Sequence, residues 1–149
     1  VARMPTDLPA STGAPLDFEI VDHTADWALR IYGADFTHLL QNAARGMTTL
    51  LVEDPDAVPA DVERQLTLHS IDAETLLVDW LGELAFWAES ELLVFNKYEL
   101  NQVSTTYLRA TVIGGRVPAL SRHIKAVTYH DLEIVEIETG LTATIVFDV

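Results

Sequence analysis

Two stretches of the chain repeat their apolar residues at helical spacing, and most of the remainder alternates as strands do. Phe36, Leu39, Leu40, Ala43, Ala44, Met47, Leu50 and Leu51 recur every 3.6 residues with no polar intruder, and Asp35 stands where an N-cap belongs. The pattern predicts a helix over 36–51, stopped by Asp54-Pro55 and followed by a Pro-punctuated acidic loop to Asp61. A second helix is predicted after the cap Asp72, carrying Leu76, Leu77, Trp80, Leu81, Leu84, Trp87 and Ala88 and ending near Ser90. Residues 18–21 and 27–32 read as short strands joined across the polar bend Asp22-His23-Thr24-Ala25-Asp26. Further strands are predicted over 65–71, 98–104, 107–113, 124–130, 132–138 and 142–148, with Gly114-Gly115 and Gly140 as turn signals.

Two long helices among about eight strands, with hairpin-scale links late in the chain, predict an α+β fold. Its form would be a two-layer sandwich, a mostly antiparallel or mixed sheet with both helices on one face. The two strand-helix-strand passages show no convincing self-similarity. Residues 1–17, with Pro5, Pro9 and Pro15 among small residues, have neither a signal-peptide core nor a membrane-length apolar run. They are expected to be a disordered leader on a cytoplasmic protein, with residues 18–149 forming one domain.

Composition narrows the chemistry. A chain of 149 residues, 49% hydrophobic, is long enough for a core without staples, and with no Cys it has no disulfide, thiolate metal site or cysteine nucleophile. Any metal must bind oxygen or imidazole. Nine Lys and Arg face 23 Asp and Glu, for a formal net charge of −14, a field that repels phosphate backbones. Stable nucleic-acid binding by the chain alone is therefore not expected, whereas docking on a basic protein is favoured by the same field.

Three clusters carry candidate chemistry: His23 and Asp26 in the bend, the run from Lys125 through Tyr129 and His130 to Asp131, and Asp148-Val149. Each also has a structural explanation. Asp26 can close an Asx-turn, His23 and His130 can be buried hydrogen-bonded imidazoles, and Asp148 can be a frayed terminal carboxylate. His130-Asp131 matches the HD pair of metal phosphohydrolases in letters, but it follows a strand-like run rather than sitting on a helix with further ligands. If the last strand ended beside the bend, Asp26, Asp148 and the terminal carboxylate of Val149 would make an all-oxygen anionic set suited to Ca²⁺, Mg²⁺ or Mn²⁺. On the second helix, a spacing of about 100° per residue brings Asp72, Asp79 and Glu83 within about 40° of one another. No Lys or Arg lies between Asp72 and Glu91 to offset that stripe. It is either a solvated face or a docking surface.

The order of these motifs resembles the archease family, small protein partners of the GTP-dependent tRNA-splicing RNA ligase. The matching segments are Asp22-His23-Thr24-Ala25-Asp26, Ile31-Tyr32-Gly33, the Leu-rich second helix with Glu83, Lys125-Ala126-Val127-Thr128-Tyr129-His130, and Phe147-Asp148-Val149. Together they span residues 18–149. The chain departs from the family pattern before Lys125, where Gly114-Gly115-Arg116 and a short run replace Gly-Glu and a longer loop. The resemblance implies an α+β fold and a divalent-cation site, calcium in family members, formed by Asp26, Asp148 and Val149. It further implies a non-enzymatic activator that promotes guanylylation of the ligase by GTP and its repeated turnover. Lys125 would then present a cation to GTP phosphates or to a ligase carboxylate, its structural alternative being a salt bridge that neutralises the bend. Tyr129 and His130 are weaker candidates, since strand alternation would send them to opposite faces. Rival classes are a metal-dependent hydrolase using Asp26 and Asp148 with His23 or His130 as general base, and a plain protein-interaction module. No Gly-rich phosphate cradle supports the hydrolase.

Overall fold

A computed structural model of the chain describes residues 17–22 and 27–149, with the main chain alone at Asp22. The elements run β1 (Phe18–Asp22), β2 (Trp27–Gly33), α1 (Phe36–Leu51), β3 (Val62–His69), α2 (Ala73–Glu91), β4 (Leu93–Val103), β5 (Tyr107–Arg116), β6 (Ala126–Thr128), β7 (Val135–Ile137) and β8 (Gly140–Asp148). The expected leader, residues 1–16, and the bend residues His23 to Asp26 lie outside the described residues.

Both helices form where their periodicity and caps require. Asp35 accepts the main-chain N–H of His38 at 2.9 Å, and Asp72 accepts that of Thr75 at 2.8 Å, so each satisfies one of the orphan donors of a helix start. The helix α1 ends at Leu51, and Asp54 then caps a short 3-10 turn, Pro55–Ala57. After α2, Leu92 takes a left-handed conformation (φ 54°) and returns its N–H to Ala88.

The strands divide into two sheets, a partition that the hydrophobic pattern does not contain. One sheet runs β1-β2-β8-β6, with β7 also paired to β8, and the other runs β3-β5-β4. All the ladders among the described residues are antiparallel, as suits an α+β fold. The helix α1 packs against β2 of the first sheet and β4 of the second, while α2 packs against α1, β4 and β6. Leu29, Ile31, Ile145 and Phe147 from the first sheet and Leu93, Leu108, Ala110 and Val112 from the second are fully or almost fully buried together with the apolar faces of both helices. Trp80 lies at the centre, fully buried, its indole N–H donating to the Leu40 carbonyl at 2.9 Å and so tying α2 to α1. No helix among the described residues is long and apolar enough to cross a membrane.

Gly114-Gly115 is not a turn. Both residues lie inside β5, where Gly114 pairs with Val62 on one side and Phe95 on the other, and a Cβ there would fall within 2.0 Å of the Val94 carbonyl oxygen. Close approach of two backbones excludes a side chain. Gly140 does mark the β7–β8 turn, at φ 143°. Strands β3 and β4 begin earlier than the residue types suggest: Glu63, Arg64 and Gln65 are all polar although their burial alternates, and Leu93, Val94 and Phe95 are buried without a break.

The two cap carboxylates predict an acid limb of stability. Hydrogen bonds from His38 hold the Asp35 carboxyl below the ordinary aspartate value of 3.8, and those from Thr75 do the same for Asp72. Their contribution is complete above that ordinary value and is lost as pH falls through the lower folded-state pKa. Asp35→Ala should cost about 1 kcal/mol at neutral pH. Urea unfolding at pH 7 and at pH 3 should show the gap between wild type and variant closing at the acid end.

Candidate functional site

Three segments separated widely in sequence meet along β8. Trp27, the residue after the bend, pairs with Phe147, and Phe147 pairs on its other side with Val127 of the Lys125–His130 run. One register step on, Asp148 pairs with Ala126, and its carbonyl accepts the Lys125 N–H at 2.8 Å. Apolar alternation sets this order: Phe147 is fully buried and must point inward, which turns Asp148 outward, where it is exposed. Asp148 is therefore a laddered residue rather than a frayed one. Val149 beyond it is exposed.

Among the described residues, the cations here do not pair with carboxylates. Arg122 places its guanidinium 4.0 Å from the Trp27 ring centre, within the distance of a cation–π contact. Lys125 is exposed and forms no salt bridge with a described residue, so the reading of Lys125 as a neutralising ion pair finds no described partner. Sequence reasoning missed Arg122 and Trp27. A lone Arg eighty residues and more from its aromatic partner carries no local signal.

The strand expected over 124–130 stops at Thr128. Tyr129 and His130 leave the ladder, Leu132 returns its N–H to the Tyr129 carbonyl at 3.0 Å, and Asp131 at φ 51° completes the turn. The expected alternation of Tyr129 and His130 to opposite faces therefore does not apply. Both are exposed, Tyr129 by 55%, which also removes the reading of His130 as a buried imidazole. His130 Nε2 lies 3.2 Å from the Asp131 carboxylate.

The acidic stripe of α2 adjoins this turn. The Asp72 carboxylate is held by its cap bond, Asp79 accepts the Ser70 hydroxyl at 2.7 Å, and Glu83 is half-buried one turn further on. Glu74, on the same helix, accepts the Ile134 N–H at 3.1 Å and ties α2 to the segment after the turn. The Tyr129 phenol is pushed above its ordinary value of 10, first by partial burial and then by the Asp79 and Asp72 carboxylates. The stripe and the turn therefore share one field. Among the described residues no three His, Cys, Asp or Glu side chains cluster as a metal site. The expected ligand Asp26 and the candidate His23 lie outside those residues. Asp79→Asn should lower the Tyr129 pKa toward 10, as read from the pH titration of its ring-carbon signals by NMR, whereas an unmoved titration would separate the stripe from the turn.

Comparison with known proteins follows the same residues. The Archease protein family matches residues 18–149. The chain is 33% identical to the archease of Methanosarcina barkeri over 140 residues, covering 89% of this chain and 95% of that protein. It is 35% identical to the archease of Saccharolobus islandicus over 138 residues, covering 89% and 98%. The solution structure of Methanobacterium thermoautotrophicum protein 1598 superposes with a TM-score of 0.73 at 31% identity, over 89% of this chain and 99% of that one. A crystal structure from Thermotoga maritima, described as an archease and possible chaperone, shares the fold with a TM-score of 0.64 at 21% identity, over 87% and 94%. The chain belongs to the archease family.

Proposed function

We propose that this protein is a non-enzymatic activator of the GTP-dependent tRNA-splicing RNA ligase, which it helps to become guanylylated and to turn over repeatedly. The observation that carries the reading is the β2–β8–β6 ladder, in which the chain leaving Asp26, the chain reaching Asp148 and the Lys125 segment run side by side. Family membership supports it, as does the description of the Thermotoga maritima relative as a possible chaperone, a role exercised on another protein.

The proposal includes a divalent ion, calcium first and Mg²⁺ or Mn²⁺ as alternatives, held by the carboxylates of Asp26 and Asp148 and by main-chain oxygen at Val149. Asp26 precedes Trp27 in the chain, and Trp27 is the ladder partner of Phe147, the residue before Asp148. Donors of this kind are all oxygen, and the exposed Asp148 is free of a described cation, which fits a hard ion. Bound there, the ion supplies positive charge that anionic phosphate oxygens can approach. Lys125, beside Asp148 in the ladder, adds a fixed cation of the chain's own. The net charge of −14 and the stripe of Asp72, Asp79 and Glu83 complement a basic, RNA-binding ligase and raise the rate of encounter.

Ion binding to the folded state raises stability by mass action, so Ca²⁺ should lift the melting temperature of the wild type and leave Asp26→Ala unmoved. An equal rise in both proteins would take Asp26 out of the site. For the ligase, Lys125→Ala should impair guanylylation at unchanged melting temperature. Reversal of Asp79 and Glu83 to Lys should slow association, and the wild-type rate should fall with salt as charges separated by more than about 10 Å at 0.1 M become screened. Full stimulation by the reversed variant at low salt would leave the stripe a solvated face.

A further inference from the structure

The outward side of α2 joins two features that packing within the chain does not account for. Gly82 sits in the middle of the helix, where glycine weakens it relative to alanine, and a Cβ added there would meet no atom within 4 Å beyond its own stretch of helix. Phe86, one turn on, is 61% exposed. A single exposed apolar side chain is ordinary, but this ring is held in place. It meets Trp87 edge-on at 6.0 Å between centres, and Trp87 is itself half-buried, with the Arg64 guanidinium 5.4 Å from its ring centre. An oriented aromatic ring therefore stands beside a hollow.

Thr75, Asp79, Gly82 and Phe86 follow one another at four, three and four residues, which sets them in one row along the helix. That is the spacing of a seam between two helices, in which a small residue admits a side chain of the facing helix. Asp79 lies one turn before the hollow and Glu83 beside it, and α2 carries no Lys or Arg. Asp79 keeps acceptor capacity beyond the bond it receives from Ser70. A second copy of this chain, paired through the row, would bring the same carboxylates against these, each copy with a net charge of −14. The row thus suits a basic occupant. It also adjoins the segment that carries Lys125: His123 Nδ1 lies 2.9 Å from the Glu89 carboxylate near the end of α2, and Tyr129 lies in the field of Asp79 and Asp72.

We infer that this row docks a basic, amphipathic helix of the partner protein. One apolar side chain of that helix enters the hollow at Gly82 against the Phe86 ring, while its Lys or Arg side chains meet Asp79 and Glu83. The inference rests on the ligase-activator reading for the partner's identity and adds the place and form of the contact.

Two variants test it without altering charge, Phe86→Ala and Gly82→Gln. Glutamine is the better helix former and finds open space, so Gly82→Gln should melt no lower than the wild type. By calorimetry each variant should bind the ligase about tenfold more weakly or worse. Amide shifts of the full chain should also be followed by NMR while a peptide of about 20 residues, Leu on one face and Lys on the other, is titrated in. The expected shifts fall on Thr75, Gly82, Phe86 and their neighbours, disappear in Gly82→Gln, and are absent with a Leu–Glu peptide of the same pattern. Equal ligase affinity of the wild type and both variants would overturn docking on α2 and leave the activator reading standing. Failure of the wild type to bind the ligase would sink the activator reading instead, and the peptide then decides: shifts on the row keep the surface, and shifts scattered over the acidic chain, or none, remove it. A wild-type dimer in sedimentation that Phe86→Ala turns into a monomer would give the row to a second copy and overturn the basic occupant.

Discussion

The fully buried Phe147 side chain is the constraint on which the arrangement of β8 rests. It fixes which face of the strand is inside, and with period-two alternation it thereby fixes the outward direction of Asp148. It also sets register on both flanks, with Trp27 against one side and Val127 against the other. A slip of one residue would bury Asp148 without a partner and expose the phenyl ring, two errors of the same sign. The strands β2, β8 and β6 are thus held together by packing, before any ligand or partner is considered.

The helices were legible because their information is local. Periodicity, an aspartate cap and a Pro-containing stop all fall within a few residues of the boundaries they set, and α1 runs over the residues that these signals delimit. The division into two sheets was not legible, because ladder partners such as Val62 and Gly114, or Trp27 and Phe147, are far apart in sequence. Gly114-Gly115 was misread for the same reason. A glycine pair signals a turn locally, but here it answers a close approach by β4 that only the folded chain reveals. The early end of β6 has a different origin, since Asp131 in the left-handed region closes a turn that alternation in the letters conceals.

The candidate site divides along similar lines. Asp148, Lys125 and the α2 stripe could be named from the sequence as charged residues in recognisable motifs, and Asp26 and His23 could be named although they fall outside the described residues. The field linking Tyr129 to Asp79 and Asp72 could not be read, because it depends on α2 lying against β6. Nor could the Arg122–Trp27 contact, which a non-local pairing creates.

Charge supplies the last step. With 23 acidic and 9 basic side chains, a cation in this protein does not go unpaired for want of carboxylates. Arg30, Arg45 and Arg116 each hold one, at 2.9, 2.9 and 2.6 Å. The other described cations hold none: Arg64 and Arg122 lie over indole rings, and Lys97, Arg109 and Lys125 have no carboxylate partner among the described residues, Lys125 although Asp148 pairs with the next residue along. Exposed ion pairs contribute little to stability, so leaving Lys125 and Asp148 unpaired costs the fold almost nothing. It keeps the Asp148 carboxylate and the Lys125 ammonium, both exposed, apart where β8 meets the start of β6. In the proposed site that separation would leave Asp148 for a hard cation and Lys125 for an anionic group, and a mutual salt bridge would abolish it.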